Sequence, residues 1–259
     1  MFFREIRNYS SFCIIRLCDR FIVSQKPSSS IPNPKSKIQN RQKRVVFCDF
    51  DGTITAEETF VGMLKEFAPQ LSEQLMPEMY ALRLTLRDGV RQILESIPSA
   101  CYPEIIAYTQ SKPIRPGLEE LLDFLDTQGV PFVVVSGGLR GMVETALSQA
   151  STGKQSLLGR VAAIYAVDVD TTGEFLSVQS DFEGDTELVS KVQVMAQYPA
   201  DEQVAIGDSV TDLNMALTAP VVFARDRLIQ YLDKQNKPYI PWNDFFDVRA
   251  QLSQRWQDI

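Results

Sequence analysis

The chain of 259 residues contains no histidine. Histidine-ligated metal sites, Ser-His-Asp nucleophile systems and phosphohistidine chemistry are therefore excluded for it. Its four cysteines, Cys13, Cys18, Cys48 and Cys101, are too scattered for a zinc cluster and do not suggest a disulfide framework, which points to a reducing compartment. No apolar run approaches the ~20 residues that a membrane-spanning helix needs. Basic charge is scarce outside the start of the chain. Ten of the 26 Lys/Arg but two of the 33 Asp/Glu fall in residues 1–44, so the remainder carries a net −15 against −7 for the whole. So acidic a body argues against a nucleic-acid surface and is compatible with a divalent cation. Neither nucleic acid nor membrane is expected as a partner, and the oligomeric state is not legible.

The Ser-, Pro- and Lys-rich stretch "SQKPSSSIPNPKSKIQNRQKR" shows no periodicity, so residues 1–43 are expected to be a disordered basic extension. Such a segment reads either as dispensable or as an organelle transit peptide. The expected location is cytoplasmic in the first case and an organelle stroma in the second. From Arg44 the pattern becomes regular. "VVFCDF" reads as a strand buried on both faces. A helical, Pro-punctuated block follows, with Phe60, Met63, Leu64 and Phe67 at helical spacing. Further helices are predicted over 71–82, 87–97, 102–110, 118–127, 139–147 and 185–197. "VPFVVVSGG", "QVAIGDS" and "PVVFA" read as buried strands, and "AAIYAVDVDTTGEFLSVQ" as a hairpin. Strands alternating with helices imply a parallel sheet with helices on both faces, an α/β fold. The block between the first two strands is too long for a crossover and reads as an inserted helical subdomain. The expected division is a core of 44–58 and 113–259 and an insertion of 59–112.

Ligands of an open parallel sheet bind at the carboxyl ends of its strands. Three strands here end in polar groups: Asp49 and Asp51, then Ser136 with Gly137 and Gly138, then Asp208 followed by Asp212; Lys191 precedes the third strand. Singly, Asp-Gly is a turn, Asp212 a first-turn helix acid and Lys191 a solvated cation. Together, four carboxylates, a hydroxyl and a lysine converge on one end of the sheet.

D-x-D-G-T after a buried strand, S-G-G after the next, a later lysine and G-D-S-x-x-D resemble, in order, the motifs of the haloacid dehalogenase superfamily of phosphatases. The resemblance implies a Rossmann-like core with a small helical cap, as in the phosphoserine-phosphatase-like subgroup. It implies Asp49 as nucleophile, passing through an aspartyl-phosphate, and Asp51 as general acid and base, a position where the superfamily's transport ATPases carry threonine. It further implies Mg2+ held by Asp49, the Asp51 backbone carbonyl and Asp208, with Asp212 behind them, and a phosphate held by Ser136, Gly137 and Lys191. The partner would be a small phosphorylated metabolite.

For the substrate, Glu58 resembles the acid that phosphoserine phosphatases aim at an amine, and reads equally as a first-turn helix acid. In "LRDGVRQIL" Ile93 falls where their carboxylate-binding arginine is expected, with Arg87 and Arg91 shifted, and Arg91 joins Glu58 as a candidate substrate residue. "KEFAP", "LRDGVRQILESIPS", "IGDSVTD" and "VVFARDRLIQYLDKQNKPYIPWNDFFDVR" are similar to the phosphatase family of methionine salvage. That similarity implies 2-hydroxy-3-keto-5-methylthiopentenyl-1-phosphate as substrate, with Met63, Phe67 and Ile93 as candidate walls of a methylthio pocket. Phosphoserine is the alternative substrate, and a catalytically quiet binding module of the same fold is the alternative class.

Overall fold

The computed structural model describes residues 42–150 and 156–257. The expected extension lies outside them apart from residues 42 and 43, as do Cys13 and Cys18. The described chain forms a seven-stranded sheet in the order β4-β3-β2-β1-β5-β6-β7. The strands are β1 (Arg44–Cys48), β2 (Phe132–Leu139), β3 (Ala163–Asp170), β4 (Ser177–Gln179), β5 (Glu202–Gly207), β6 (Val221–Ala224) and β7 (Ile240–Pro241). All neighbours pair parallel except β3 and β4, which form the predicted hairpin.

Strand β1 runs through the middle, so its side chains feed both faces. Val45 and Phe47 enter one apolar cluster, Val46 and Cys48 the other, as a period of two requires. The second cluster is closed by α5 (Leu118–Gln128), by one side of α6 (Arg140–Gln149) through Val143, Ala146 and Leu147, and by α10 (Phe245–Gln257). The first is covered by α7 (Lys191–Ala196), α8 (Leu213–Thr218) and α9 (Asp226–Lys234), and it continues without a break into the inserted helices. Among the described residues no helix is long and apolar enough to cross a membrane.

Helices α1 (Thr59–Phe67), α2 (Pro69–Tyr80), α3 (Leu86–Leu94) and α4 (Tyr102–Thr109) all lie between β1 and β2. Thr85 caps α3, its hydroxyl accepting from the Asp88 N–H at 3.0 Å. The segments leading into and out of this block meet. Thr55 and Ile114 form an antiparallel bridge, the Ala56 N–H donates to Pro113 O at 2.9 Å, and the Arg115 N–H donates to Ile54 O at 2.8 Å. The far side of the block docks on the hairpin, through a Pro98–Phe175 bridge and through Arg91, which donates to Val178 O at 3.1 Å.

One predicted helix is corrected. The helix expected over 185–197 begins only at Lys191. The residues before it form a loop in which the Ser190 N–H donates to Phe182 O at 2.7 Å and the Gly184 N–H to Glu187 O at 2.9 Å. That loop buries Leu188 and Val189 and offers Thr186 O to the Arg87 N–H at 2.8 Å. Its backbone bonds are therefore made across the loop and to Arg87 of α3 instead of along a helix.

Candidate active site

Asp49 is the first residue beyond β1, and its N–H, donating to Ile206 O at 3.0 Å, continues the ladder onto β5. The chain then turns sharply at Gly52, whose φ of +78° suits glycine. A Cβ at Gly52 would stand 2.7 Å from an Asp208 carboxylate oxygen, so the absent side chain lets the two loops close on each other. The Thr53 hydroxyl ties them by donating to Asp208 Oδ1 at 2.7 Å.

The turn after β5 is built the same way. A Cβ at Gly207 would fall 2.5 Å from the Asp212 carboxyl carbon. Asp212 folds back so that Oδ2 accepts the N–H groups of Asp208 (2.9 Å) and Ser209 (3.0 Å). Its Oδ1 accepts from the Lys191 ammonium at 2.5 Å, and the same ammonium donates to Asp49 Oδ1. Lys191, read singly as a solvated cation, is 2% exposed and sits between the two carboxylates.

One buried ammonium thus answers three buried carboxylates, and the imbalance shows in their proton affinities. Burial, and then the charge of Asp212, raise Asp49 to about 7 against the pull of Lys191. Burial, then Asp49 and Asp212, raise Asp208 to about 8. Burial would lower the Lys191 ammonium, but Asp212 and Asp49 outweigh it and hold the proton more tightly than on a free lysine. Oxygen atoms of Asp49, Asp208 and Asp212 lie within 4.8 Å of one another, a spacing that one cation can bridge. With no histidine in the chain and only oxygen donors in the cluster, the donor set fits Mg2+. Both oxygens of Asp212 are already engaged, which leaves Asp49 and Asp208 better placed to serve as direct ligands.

Asp51 faces a different neighbour. Its Oδ1 accepts the Phe60 N–H at 2.8 Å, at the opening turn of α1, so the inserted helices help to hold it. Burial raises it to about 7, and the bond from Phe60 works the other way. Ser136 is buried near the end of β2, where its hydroxyl accepts the Gly138 N–H at 3.0 Å, while Gly137 is exposed with open space around its Cα. The Phe60 ring lies against this turn, 3.2 Å from where a Gly138 Cβ would be.

A cavity of about 460 Å³ is lined by Gly52, Glu58, Arg115, Asp208, Arg227 and others. Glu58 therefore shares a surface with Asp208 and pairs with Arg227 at 3.5 Å. Arg91 is not brought to the cluster: its guanidinium is engaged by Glu183 at 2.6 Å, Val178 O and Glu95. Met63 and Ile93 are fully buried in the main apolar cluster and form core, not pocket wall; Phe67 is partly buried against it. Two residues without a part in the sequence reading join the site. Thr53 is the threonine of D-x-D-G-T, and its place in the motif could have flagged it. Arg115 has no sequence signal, since its partners are backbone carbonyls.

Residues 46–217 match the family model for haloacid dehalogenase-like hydrolases. The chain belongs to this family, and it is an enzyme, a phosphatase of the haloacid dehalogenase type. Among its relatives is the 2-hydroxy-3-keto-5-methylthiopentenyl-1-phosphate phosphatase of Microcystis aeruginosa (strain NIES-843 / IAM M-2473), 60% identical over 209 residues, 81% of this chain and 97% of the relative. A phosphatase of the same name from Bacillus mycoides (strain KBAB4) is 32% identical over 215 residues, covering 80% and 94%. Among solved structures, a phospho-aspartyl intermediate analogue of phosphoserine phosphatase superposes with a TM-score of 0.57 at 19% identity, covering 82% of this chain and 99% of that one. That likeness establishes a shared fold.

Proposed function

We propose that the protein is an Mg2+-dependent phosphomonoesterase that passes through an aspartyl-phosphate on Asp49, with 2-hydroxy-3-keto-5-methylthiopentenyl-1-phosphate as its substrate. The observation that carries the chemistry is the buried cluster of Asp49, Lys191, Asp208 and Asp212 at the carboxyl end of the sheet. Two aspartates one residue apart at the end of a buried strand make sense on this reading: one forms the covalent bond, the other moves the proton.

Lys191 holds Asp49 by one oxygen, which orients the carboxylate for attack on phosphorus. Asp51, whose raised affinity for a proton lets it start protonated near neutral pH, donates to the departing alkoxide. It then accepts a proton from the water that hydrolyses the acyl phosphate. Lys191, Ser136 and the Gly137 N–H hold the phosphoryl oxygens as charge redistributes. Asp49, Asp208 and the main-chain carbonyl of Asp51 would hold Mg2+, which would supply positive charge to offset the repulsion between carboxylate and phosphate.

Residues 59–112 act as a cap over a core of 44–58 and 113–259, excluding bulk water and completing the substrate pocket. The substrate assignment rests on the 60% identity to the Microcystis enzyme. Two observations weigh against phosphoserine: Ile93 is buried, and Arg91 is committed to Glu183. The test is a panel of phosphorylated metabolites assayed with Mg2+ and with EDTA, beside Asp49→Asn. We expect the methylthiopentenyl phosphate to rank first, phosphoserine to rank low, and both EDTA and Asp49→Asn to abolish turnover. Preferred turnover of phosphoserine would reverse the substrate assignment, and unchanged activity in Asp49→Asn would remove the mechanism.

A further inference from the structure

Arg115 stands on the chain segment that returns from the inserted helices, next to the bridged pair Thr55 and Ile114. It is half-buried, and the hydrogen bonds of its guanidinium run to backbone carbonyls. Nη2 donates to Gly52 O at 2.7 Å and more loosely to Thr55 O at 3.4 Å, Nε donates to Thr53 O at 2.9 Å, and Nη1 reaches Asn243 O at 3.5 Å. Three of these carbonyls belong to the turn that follows Asp49 and Asp51. The guanidinium also lies over the Trp242 ring, 5.5 Å from its centroid, where Arg225 lies at 5.2 Å.

Partly burying a cation against neutral acceptors is costly unless its geometry is needed. A guanidinium offers that geometry: its fixed fork of N–H donors reaches several carbonyls of one turn at once, which a lysine ammonium does not. The next link is direct. Arg115 holds the carbonyl of Thr53, and the hydroxyl of Thr53 donates to Asp208 Oδ1 at 2.7 Å. Gly52, whose carbonyl takes the shortest bond, is the residue that Asp208 packs against.

We propose that Arg115 is a positioning residue of the phosphatase reaction, setting the turn after Asp49 and, through Thr53, the orientation of the Asp208 carboxylate. The proposal rests on the reading of Asp208 as a ligand of Mg2+. The guanidinium is spent on backbone carbonyls of the turn, so its loss acts on turnover and on metal affinity before it acts on substrate binding. It also gives the insertion a physical link to the site: the residue that closes the insertion is the one that holds the nucleophile turn.

The experiment compares wild type, Arg115→Met, Thr53→Val and the double variant, using p-nitrophenyl phosphate turnover over a series of Mg2+ concentrations. Thermal melts over the same series give a readout independent of activity. In Arg115→Met we expect kcat to fall roughly 10- to 100-fold, as for small displacements of reacting groups, with KM for the ester within about 2-fold. Half-saturating Mg2+ should rise roughly 10-fold in both assays, the usual scale for losing an outer partner of a metal ligand. Thr53→Val should raise it similarly, and the double variant should be no worse than the weaker single variant. Methylguanidinium should restore part of the turnover of Arg115→Met. Wild-type constants in Arg115→Met, or effects of the two substitutions that multiply, would overturn the proposal. If Arg115→Met does not fold by circular dichroism, Arg115→Lys, which keeps the charge but not the fork, takes its place under the same criteria. A wild type without Mg2+-dependent turnover would instead count against the proposed function, while the melts still decide whether Arg115 and Thr53 act together.

Discussion

The strand ends that carry the acidic cluster and the inserted helices obey different rules. On the sheet side, polar groups are buried and bonded to one another: Lys191 to Asp49 and Asp212, Thr53 to Asp208, Asp212 to two N–H groups. Among the described residues of the inserted helices no charged side chain is buried: the interior is Met63, Leu64, Met76, Ile93 and Leu94, with the Ser72 and Thr109 hydroxyls bonded to nearby helix carbonyls. Charges there lie at the surface in pairs such as Arg83–Glu78 and Arg91–Glu183. The first arrangement tolerates few residue types, because each buried polar atom needs its partner. The second tolerates any apolar set of similar volume. The first region therefore uses a restricted alphabet and the second does not.

The contrast is broken most forcefully at Asp51. Asp51→Asn should lower turnover of an alkyl phosphate by roughly 10²- to 10⁴-fold, the usual contribution of a general acid and base. The loss should be smaller in forming the phosphoenzyme from p-nitrophenyl phosphate, whose leaving group needs no proton. Rapid-mixing measurements of nitrophenol release check this, and equal losses for both esters would deny Asp51 the acid role. Next comes Lys191→Met, which leaves Asp49 and Asp212 without their ammonium in a buried setting. Unfolding in urea should show a loss of about 3–5 kcal/mol, the cost of breaking a buried pair from one side. A loss below about 1 kcal/mol, as for a surface charge, would erase the distinction between the two regions.

A third effect separates the regions by pH. Asp49 and Asp51 are raised to about 7 and Asp208 to about 8, against about 3.9 for an unfolded aspartate. Folded protein therefore keeps protons that the unfolded chain gives up. Their contribution to stability is complete below about pH 4 and lost as pH rises through about 7 to 8. In EDTA the midpoint of thermal unfolding should fall from pH 5.5 to pH 8.5, and Mg2+ should reduce the fall. A midpoint that climbs over this range in EDTA would contradict the picture of crowded carboxylates. The smallest effect is expected on the helical side. Arg91→Ala removes a partly exposed pair with Glu183, so stability should change by about 1 kcal/mol or less and kcat with p-nitrophenyl phosphate should stay near wild type. A large loss of kcat there would return Arg91 to the list of substrate-binding residues.

The same contrast explains what could be read in the chain beforehand. Buried strands announce themselves as short apolar runs, and "VVFCDF", "VPFVVVSGG", "QVAIGDS" and "PVVFA" all fall on strands of the sheet. Aspartates ending such runs are conspicuous because burying them is costly, so Asp49, Asp51 and Asp208 stood out. The helix expected over 185–197 failed for the opposite reason. Its first half bonds to Phe182 and to Arg87, partners far enough away that local periodicity cannot reveal them. Arg115 was invisible because a carbonyl belongs to every residue. The pocket assigned to Met63 and Ile93 failed because apolar residues at helical spacing look alike whether they line a cavity or fill a core, and here they fill it.

The bridge between Thr55 and Ile114 makes the two ends of the insertion neighbours. A chain that leaves and re-enters a scaffold at adjacent points can change length cheaply, since each doubling adds only about 0.6 kcal/mol of closure entropy. The scaffold is therefore a socket: its ends accept a graft of another size, provided the graft rebuilds the apolar cluster that the inserted helices share with the sheet. Two terminals of the socket are wired, however. Any replacement must begin with an amide that reaches Asp51, as Phe60 does, and must hand the chain back with an arginine in the place of Arg115. Exchanging specificities by transplanting helices alone, without those two contacts, should yield folded proteins that bind new esters and turn them over slowly.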